Sequence, residues 1–118
     1  MADRRSKLLR DVLAAGAAIE SFVHGRSFDD YERDLMLRSA TERQFEIIGE
    51  AVRRLLVSDS AFAIRIDHVH TIIAFRNIIA HGYDALDSKI VWGVIEDDLG
   101  ALMASVRSLL NELDRSSE

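Results

Sequence analysis

Apolar residues recur at spacings of three and four along most of the chain, which is the period of an amphipathic α-helix. Two such stretches lie in the first half, at residues 3–24 and 29–57. Gly25 follows the first of them, and glycine suits the left-handed conformation that ends many helices. The pattern therefore predicts two long helices joined by a short turn at residues 25–27.

Two further helices are predicted in the second half of the chain. One covers residues 67–81, with Asp67 as its N-cap and Gly82 as its stop, and the other covers residues 87–114. Residues 62–66 are ambiguous and are interpreted as connecting structure. Four helices with short joints predict an all-α antiparallel bundle of four to five helices, formed by residues 1–118 as a single domain.

The composition agrees with a globular helical protein. Hydrophobic residues make up 48% of the 118 positions and charged residues 30%, and there is no proline to interrupt a helix. The longest apolar run, residues 72–75, is too short to cross a bilayer, and the first residues are polar, so we expect a cytoplasmic protein with no membrane association. The absence of cysteine excludes disulfides, cysteine zinc ligands and thiol nucleophiles.

The helix predicted at residues 67–81 is apolar on almost every side. Val69, Ile72 and Ile73 share one face, whereas Ala74 and Ile78 lie on another. A helix that is apolar all round is normally buried on all sides. In a chain of 118 residues one of those sides needs a second subunit to cover it, so a homodimer is predicted.

Polar residues interrupt the second half of this apolar helix at three positions. A buried guanidinium is costly unless it is paired, so Arg76 is expected either to meet a carboxylate, Glu46 or Glu50, or to face a cleft that receives an anion. Asn77 and His81 are four residues apart and share a face, whereas Arg76 lies about 140° from His81 on an ideal helix. Arg76, Asn77 and His81 are therefore candidate site residues.

The segment from Arg76 to Tyr83 has the pattern Arg-x4-His-x-Tyr. This pattern resembles the signature of the HepT-like toxins, a branch of the HEPN (higher eukaryotes and prokaryotes nucleotide-binding) superfamily. Residues 45–51, Phe-Glu-Ile-Ile-Gly-Glu-Ala, resemble the second-helix motif of that family, and Val91-Trp92 resembles the apolar-Trp pair of its last helix. The resemblance extends over residues 8–113.

The resemblance implies a HEPN-like homodimer that acts as a metal-independent endoribonuclease. It implies that Arg76 and His81 are catalytic residues, that no cofactor or metal is used, and that cellular RNA is the substrate. The amide of Asn77 suits a third catalytic role, to orient His81 or the phosphate. It also implies a toxin–antitoxin module, whose second member is an MntA-type nucleotidyltransferase antitoxin. That partner would neutralise the toxin by AMPylation of the motif tyrosine, Tyr83, or by a stable complex.

The overall charge requires any RNA-binding surface to be local. The net charge is −5, so RNA would have to meet a basic patch on an acidic background. Arg53, Arg54 and Arg65 would form an RNA-binding rim if the fold brought them near Arg76. As short clusters mixed with acidic residues, they are otherwise typical of a solvated face rather than of membrane or DNA binding.

Two alternative functions are consistent with the same sequence. The chain could be a catalytically inert helical binding or scaffold subunit of a nucleotidyltransferase complex, which suits its acidic net charge. It could also be a metal enzyme on a four-helix bundle, but such sites use Glu-x-x-His pairs, and the chain has none. His68 and His70 are two apart and point to different sides of a helix.

Overall fold

The computed structural model of the chain describes residues 3–81 and 87–116. Seven helices occupy these two ranges: α1 (Arg4–Val23), α2 (Phe28–Arg33), α3 (Leu35–Ser58), α4 (Ser60–Ala63), α5 (Val69–His81), α6 (Ser88–Asp97) and α7 (Leu99–Ser116). The same ranges contain no β-strand, so the predicted all-α class is confirmed. No helix in the described part of the chain is both long and apolar enough to cross a membrane.

The central helix of the bundle is α1, which packs against both α3 and α7. Its first turns meet the far ends of these two helices. Arg5 pairs with Asp59, just after α3, and Arg10 pairs with Asp114 in the last turns of α7, each at 3.3 Å. α1 therefore runs antiparallel to α3 and α7, as predicted, while α5 packs on α3 and α6 packs on α7.

A continuous apolar core holds these helices together. Its completely buried side chains include Leu9, Ile19, Phe45, Ile48 and Val106, which come from α1, α3 and α7. Full burial of side chains of this size contributes about 1.5–3 kcal/mol each. The core thus fixes α3, and α3 is the helix against which α5 packs.

The prediction of a single helix at residues 29–57 is wrong, because one helix ends and another begins at Asp34. A capping box between Ser27 and Asp30 starts α2, with hydrogen bonds of 2.9 and 3.1 Å. Asp34 then adopts an extended conformation, and its carboxylate accepts a hydrogen bond from the Leu37 N–H at 3.0 Å. Asp34 is therefore the N-cap of a new helix, and the spacing of apolar residues does not register such a cap.

The helix predicted at residues 87–114 is also divided, into α6 and α7, at Asp98. The Asp98 N–H still donates to the carbonyl of Val94, and the Leu102 N–H donates to the carbonyl of Asp98, each at 3.0 Å. The helical hydrogen bonds therefore bridge the break. The change is a local kink, which the apolar pattern does not reveal.

The start of α5 lies two residues later than predicted, at Val69 rather than Asp67. Asp67 is not its N-cap, because His68 is the residue directly before Val69. The Asp67 N–H donates to the Ser105 hydroxyl of α7 at 3.0 Å and so ties this loop to α7. His68 follows with a left-handed φ of 62°, and its carbonyl accepts a hydrogen bond from the Ile72 N–H at 2.9 Å. The helix therefore begins after His68.

The remaining connections agree with the sequence or refine it. Gly25 has a φ of 73°, which confirms the predicted left-handed end of α1. Part of the ambiguous segment 62–66 belongs to the single turn α4. Asp59 begins this turn, since its carboxylate accepts a hydrogen bond from the Phe62 N–H at 3.2 Å.

Candidate functional site

Helix α5, which carries the candidate site residues, packs on α3 through one face. Val69, Ile72 and Phe75 are buried on this face. The Phe75 ring meets the Phe45 ring edge-on, with the ring centres 5.0 Å apart, an arrangement that aromatic pairs prefer. These contacts set the rotation of α5 and so determine which residues point outward.

The opposite face of α5 is open. Its exposed residues are His70, Thr71, Ala74, Asn77, Ile78 and His81. Ile78, a large apolar side chain, is 54% exposed. A single chain therefore does not bury α5 on all sides. This outward apolar surface is the side that the predicted second subunit would cover, and the homodimer itself stays a prediction.

Gly49 allows α5 to approach α3 very closely. A Cβ atom at Gly49 would lie 2.6 Å from the Cγ of Arg76 and nearer still to its Cβ, and 3.3 Å from the carbonyl oxygen of Ile72. Only glycine leaves this space free, because it has no Cβ. The aliphatic stem of Arg76 therefore lies directly across the backbone of α3.

The guanidinium of Arg76 is held at the edge of this crossing. Its Nη2 lies 3.1 Å from Oε2 of Glu50, and its Nη1 donates to Oδ1 of Asn77 at 3.1 Å. The side chain is 25% exposed, and its Nε is buried without a hydrogen-bond acceptor in the part of the chain that the structure describes. The expected carboxylate partner is thus Glu50, while Glu46 lies near Arg43, at 3.9 Å.

Glu50 forms ion pairs with three arginines at once. Besides Arg76, its carboxylate accepts two hydrogen bonds from Arg53, at 2.9 and 3.1 Å, and one from Arg54 at 3.1 Å. The hydrogen bonds from Arg53, followed by the one from Arg54 and the charge of Arg76, lower the pKa of Glu50 to about 2. Glu50 is therefore ionised at neutral pH, and the four side chains carry a net charge of two positive units.

Asn77 and His81 lie together on the open face of α5, as their spacing predicts. Asn77 is connected to Arg76 by the hydrogen bond to its Oδ1. His81 is the last residue of α5 and is exposed. Tyr83, the residue expected to be modified, lies outside the described residues.

A groove of about 240 Å³ runs between α1 and α3 and reaches Arg76. We call it the Arg76 groove. Its charged lining residues are Asp11, Arg43, Glu46, Glu50, Arg54 and Arg76. The groove thus connects the candidate site on α5 with charged side chains along α3.

The three arginines proposed as an RNA-binding rim divide between two places. Arg53 and Arg54 join Arg76 through Glu50. Arg65 instead pairs with Glu112 of α7 through two hydrogen bonds, at 2.6 and 3.0 Å. The fold therefore brings Arg53 and Arg54, and not Arg65, into the cluster around Arg76.

Sequence reasoning gave Gly49 no role and named Glu50 only as one of two possible partners of Arg76. A glycine in the interior of a helix costs roughly 0.5–1 kcal/mol relative to alanine. Gly49 lies near the middle of a 24-residue helix, so this cost is the signal that could have identified a close crossing. Within residues 3–81 and 87–116, no three His, Asp or Glu side chains are grouped in a way that could hold a metal ion.

Comparison with known proteins identifies the class of enzyme and then the family. A family model described as ribonuclease HepT-like matches residues 12–109, which is most of the chain. The chain is therefore a ribonuclease by family, as its sequence motif predicts. It belongs to the HepT-like ribonuclease family.

Relatives with curated descriptions agree with this assignment. A Caldanaerobacter subterraneus protein named provisionally as an RNase is 32% identical over 76% of this chain and 80% of its own length. A Thermococcus cleftensis protein is also named provisionally, as ribonuclease HepT. It is 26% identical over 86% of this chain and 91% of its own length.

A longer relative shares only one of its parts with this chain. The Methanocaldococcus jannaschii protein named gamma-glutamylcyclotransferase and, provisionally, RNase is 26% identical over 92% of this chain. The chain spans 48% of that protein's length. Comparison with solved structures found no match.

Replacing Gly49 by alanine is expected to destabilise the protein by about 1–3 kcal/mol, because the new methyl group overlaps the stem of Arg76 and α5 must move. Urea unfolding measures this change. The matched control is Gly93→Ala, inside α6, where a Cβ would meet nothing within 4 Å. Equal stability of the two variants would contradict the close crossing.

The stabilisation provided by Glu50 is expected to depend on pH. Its pKa in the folded protein, about 2, lies below its ordinary value of 4.5, so its ionised form stabilises the fold above the ordinary pKa. This contribution is lost as the pH falls from about 4.5 to about 2. The free energy of unfolding of wild type and Glu50→Gln should therefore differ near neutral pH and converge in acid.

An exposed glutamate on α1 supplies the control for this pH dependence. The change Glu20→Gln is expected to leave the free energy of unfolding close to that of wild type throughout the same pH range. If the free energies of unfolding of wild type and Glu50→Gln differed by the same amount from neutral pH to pH 2, ionised Glu50 would not be stabilised by its arginines.

Proposed function

We propose that the chain is the toxin of a toxin–antitoxin module and cleaves RNA as a metal-independent endoribonuclease. One observation carries the proposal: the Arg76 guanidinium is held by Glu50 and Asn77 beside an open helix face that ends at exposed His81. Membership of the HepT-like ribonuclease family supports the same activity.

The chemistry of RNA cleavage suits these side chains. The 2′-hydroxyl of RNA attacks the adjacent phosphorus, the bond from phosphorus to the 5′-oxygen breaks, and the products are a 2′,3′-cyclic phosphate and a 5′-hydroxyl end. Histidine exchanges protons near neutral pH, so His81 takes the 2′-hydroxyl proton or gives one to the leaving oxygen. The Arg76 fork stabilises the negative charge on the phosphoryl oxygens of the transition state, and Asn77 positions that fork.

A homodimer would complete such a site. His81 and Arg76 are about 140° apart around α5, so within one chain they do not stack on each other. A second copy that covers Ala74 and Ile78 would bring two sets of Arg76 and His81 into one cleft. Two imidazoles then supply both the base and the acid that the reaction needs.

The proposed partner is a nucleotidyltransferase antitoxin of the MntA type, which attaches AMP to Tyr83. The chain has two tyrosines, and the other one, Tyr31, is completely buried between α2 and α6. Tyr83 is two residues from His81 in sequence, so AMP there would add bulk and negative charge next to the proposed cleft. Both effects oppose the entry of RNA.

The alternative function is an inert scaffold subunit of a nucleotidyltransferase complex. The net charge of −5 favours it, because an acidic protein repels RNA as a whole. The two functions differ in one direct observation. The scaffold does not cleave RNA and does not arrest growth when it is expressed alone.

Replacing His81 by alanine is expected to reduce kcat for RNA cleavage by about 10²–10⁴-fold, because the proton transfers lose their catalyst. Cleavage of a short fluorescent RNA measures the effect, with EDTA present so that divalent ions play no part. The control is His24→Ala, at the end of α1, which should cleave like wild type. Full activity of His81→Ala, or loss of wild-type activity in EDTA, would refute the proposed mechanism.

Co-expression with a cognate nucleotidyltransferase and ATP is expected to increase the intact mass of the chain in AMP-sized steps. The increase should disappear in Tyr83→Phe and persist in Tyr31→Phe, since Tyr31 is buried. Intact-mass spectrometry distinguishes these results. Modification of Tyr83→Phe would exclude this tyrosine as the acceptor, and an unmodified wild-type chain would leave neutralisation by complex formation.

A further inference from the structure

The surroundings of the Arg76 groove are locally basic although the protein is acidic. Three arginines and three carboxylates line the groove, and two cations outside it, Lys7 and Arg53, pair with lining carboxylates, so that the ion pairs join five cations to three carboxylates. Asp11 pairs with Lys7 at 2.8 Å, Glu46 lies 3.9 Å from Arg43, and Glu50 serves the other three arginines. The cations are Lys7, Arg43, Arg53, Arg54 and Arg76. The surface therefore keeps an excess of two positive charges on a chain whose net charge is −5.

A second groove, at the other side of α1, has the opposite balance. We call it the Phe62 groove, because the guanidiniums of Arg5 and Arg65 lie over the Phe62 ring at 4.7 and 5.9 Å. Three arginines and three carboxylates line this groove as well, but the added partner outside it is a carboxylate, Asp59. The three arginines therefore meet four carboxylates in the ion pairs Arg5–Asp3, Arg5–Asp59, Arg10–Asp114 and Arg65–Glu112. These arginines are fully neutralised, so the Phe62 groove is a poor site for an anion.

Two of these cations, Arg43 and Arg54, lie on one line along α3. Arg43, Glu50 and Arg54 are separated by seven and four residues, which places them within about 40° of one another on the helix. Arg43 and Arg54 are about 16 Å apart along its axis. This length suits a backbone that passes several phosphates along the groove.

We propose that the Arg76 groove binds backbone phosphates of the RNA strand next to the cleaved bond, through Arg43 and Arg54, and that Glu50 is the positioning residue that holds Arg76. The proposal rests on the ribonuclease function proposed above and gives its RNA-binding path. It adds Arg43 to that path and leaves Arg65 outside it.

Glu50 makes this site possible by spacing three like charges around one carboxylate. Guanidiniums repel each other, and an opposite charge between them relieves that repulsion. Arg76 uses Nη2 for Glu50 and Nη1 for Asn77, its Nε is buried, and its side chain lines the groove. A phosphate therefore meets a guanidinium whose direction is already fixed.

Binding of single-stranded RNA to an inactive His81→Ala background tests the path. Adding Arg43→Gln or Arg54→Gln should weaken binding about 5- to 20-fold and reduce the slope of log Kd against log salt by about 0.7 for each phosphate that the variant no longer neutralises. Arg65→Gln is the matched control, since it removes the same charge from the Phe62 groove, and it should change neither quantity. Thermal unfolding confirms that each variant is folded.

Each result of this test is decisive. If Arg43→Gln and Arg54→Gln bind RNA with wild-type affinity and salt slope while the wild-type chain cleaves RNA, the path is wrong and the proposed function stands. If the wild-type chain does not cleave RNA, the proposed function is wrong. The binding measurements then still test whether Arg43 and Arg54 bind RNA. If the two changes weaken only the complex with the antitoxin, the groove is a protein interface and the proposal is overturned.

The role of Glu50 has a separate kinetic signature. Glu50→Gln raises the local charge by one unit, so RNA binding should be unchanged or up to about fivefold tighter, while kcat should fall at least about tenfold because Arg76 loses its charged partner. Glu50→Asp should recover part of kcat. Glu112→Gln, the partner of Arg65, should retain wild-type kcat. A wild-type kcat in folded Glu50→Gln would overturn the positioning role.

Discussion

The contact of Arg76 with Gly49 and Glu50 is the interaction on which the rest of the site depends. Gly49 leaves room for the stem of Arg76, so α5 settles closely on α3, and Glu50, one residue further, receives the guanidinium. The same two residues therefore fix the distance between the helices and the direction of the charge. Without the glycine the helices separate, and without the carboxylate a partly buried cation is left without its charged partner.

The asymmetry of α5 follows from this contact. Because α5 meets α3 through one face, the other face carries its apolar residues outward together with Asn77 and His81. Ile78, at 54% exposure, costs free energy in water unless another surface covers it. The fold thus leaves the proposed catalytic histidine and the uncovered apolar surface on the same face, so that the proposed dimer and the proposed activity would use the same helix.

The sequence predicted the helical class and the antiparallel bundle, because apolar periodicity reports helices that pack on a common core. It did not predict the breaks at Asp34 and Asp98, since a cap or kink in a helical pattern leaves the spacing of apolar residues almost unchanged. Arg76 was identified because a charge on an apolar helix requires a partner. The choice of Glu50 over Glu46 and the crossing at Gly49 depend on how two helices meet, which one chain segment cannot reveal.

The proposed RNA-binding surface depends on arginines rather than lysines at Glu50. A lysine ammonium in their place would be a compact charge, whereas a guanidinium has five donors in a fixed plane. Arg76 already gives one nitrogen to Glu50 and another to Asn77, so the carboxylate orients the fork without consuming it. Glu50 thus lowers the local charge by one unit and holds three arginines together, so its proposed benefit is the fixed direction of the Arg76 donors during the reaction and not tighter binding of RNA.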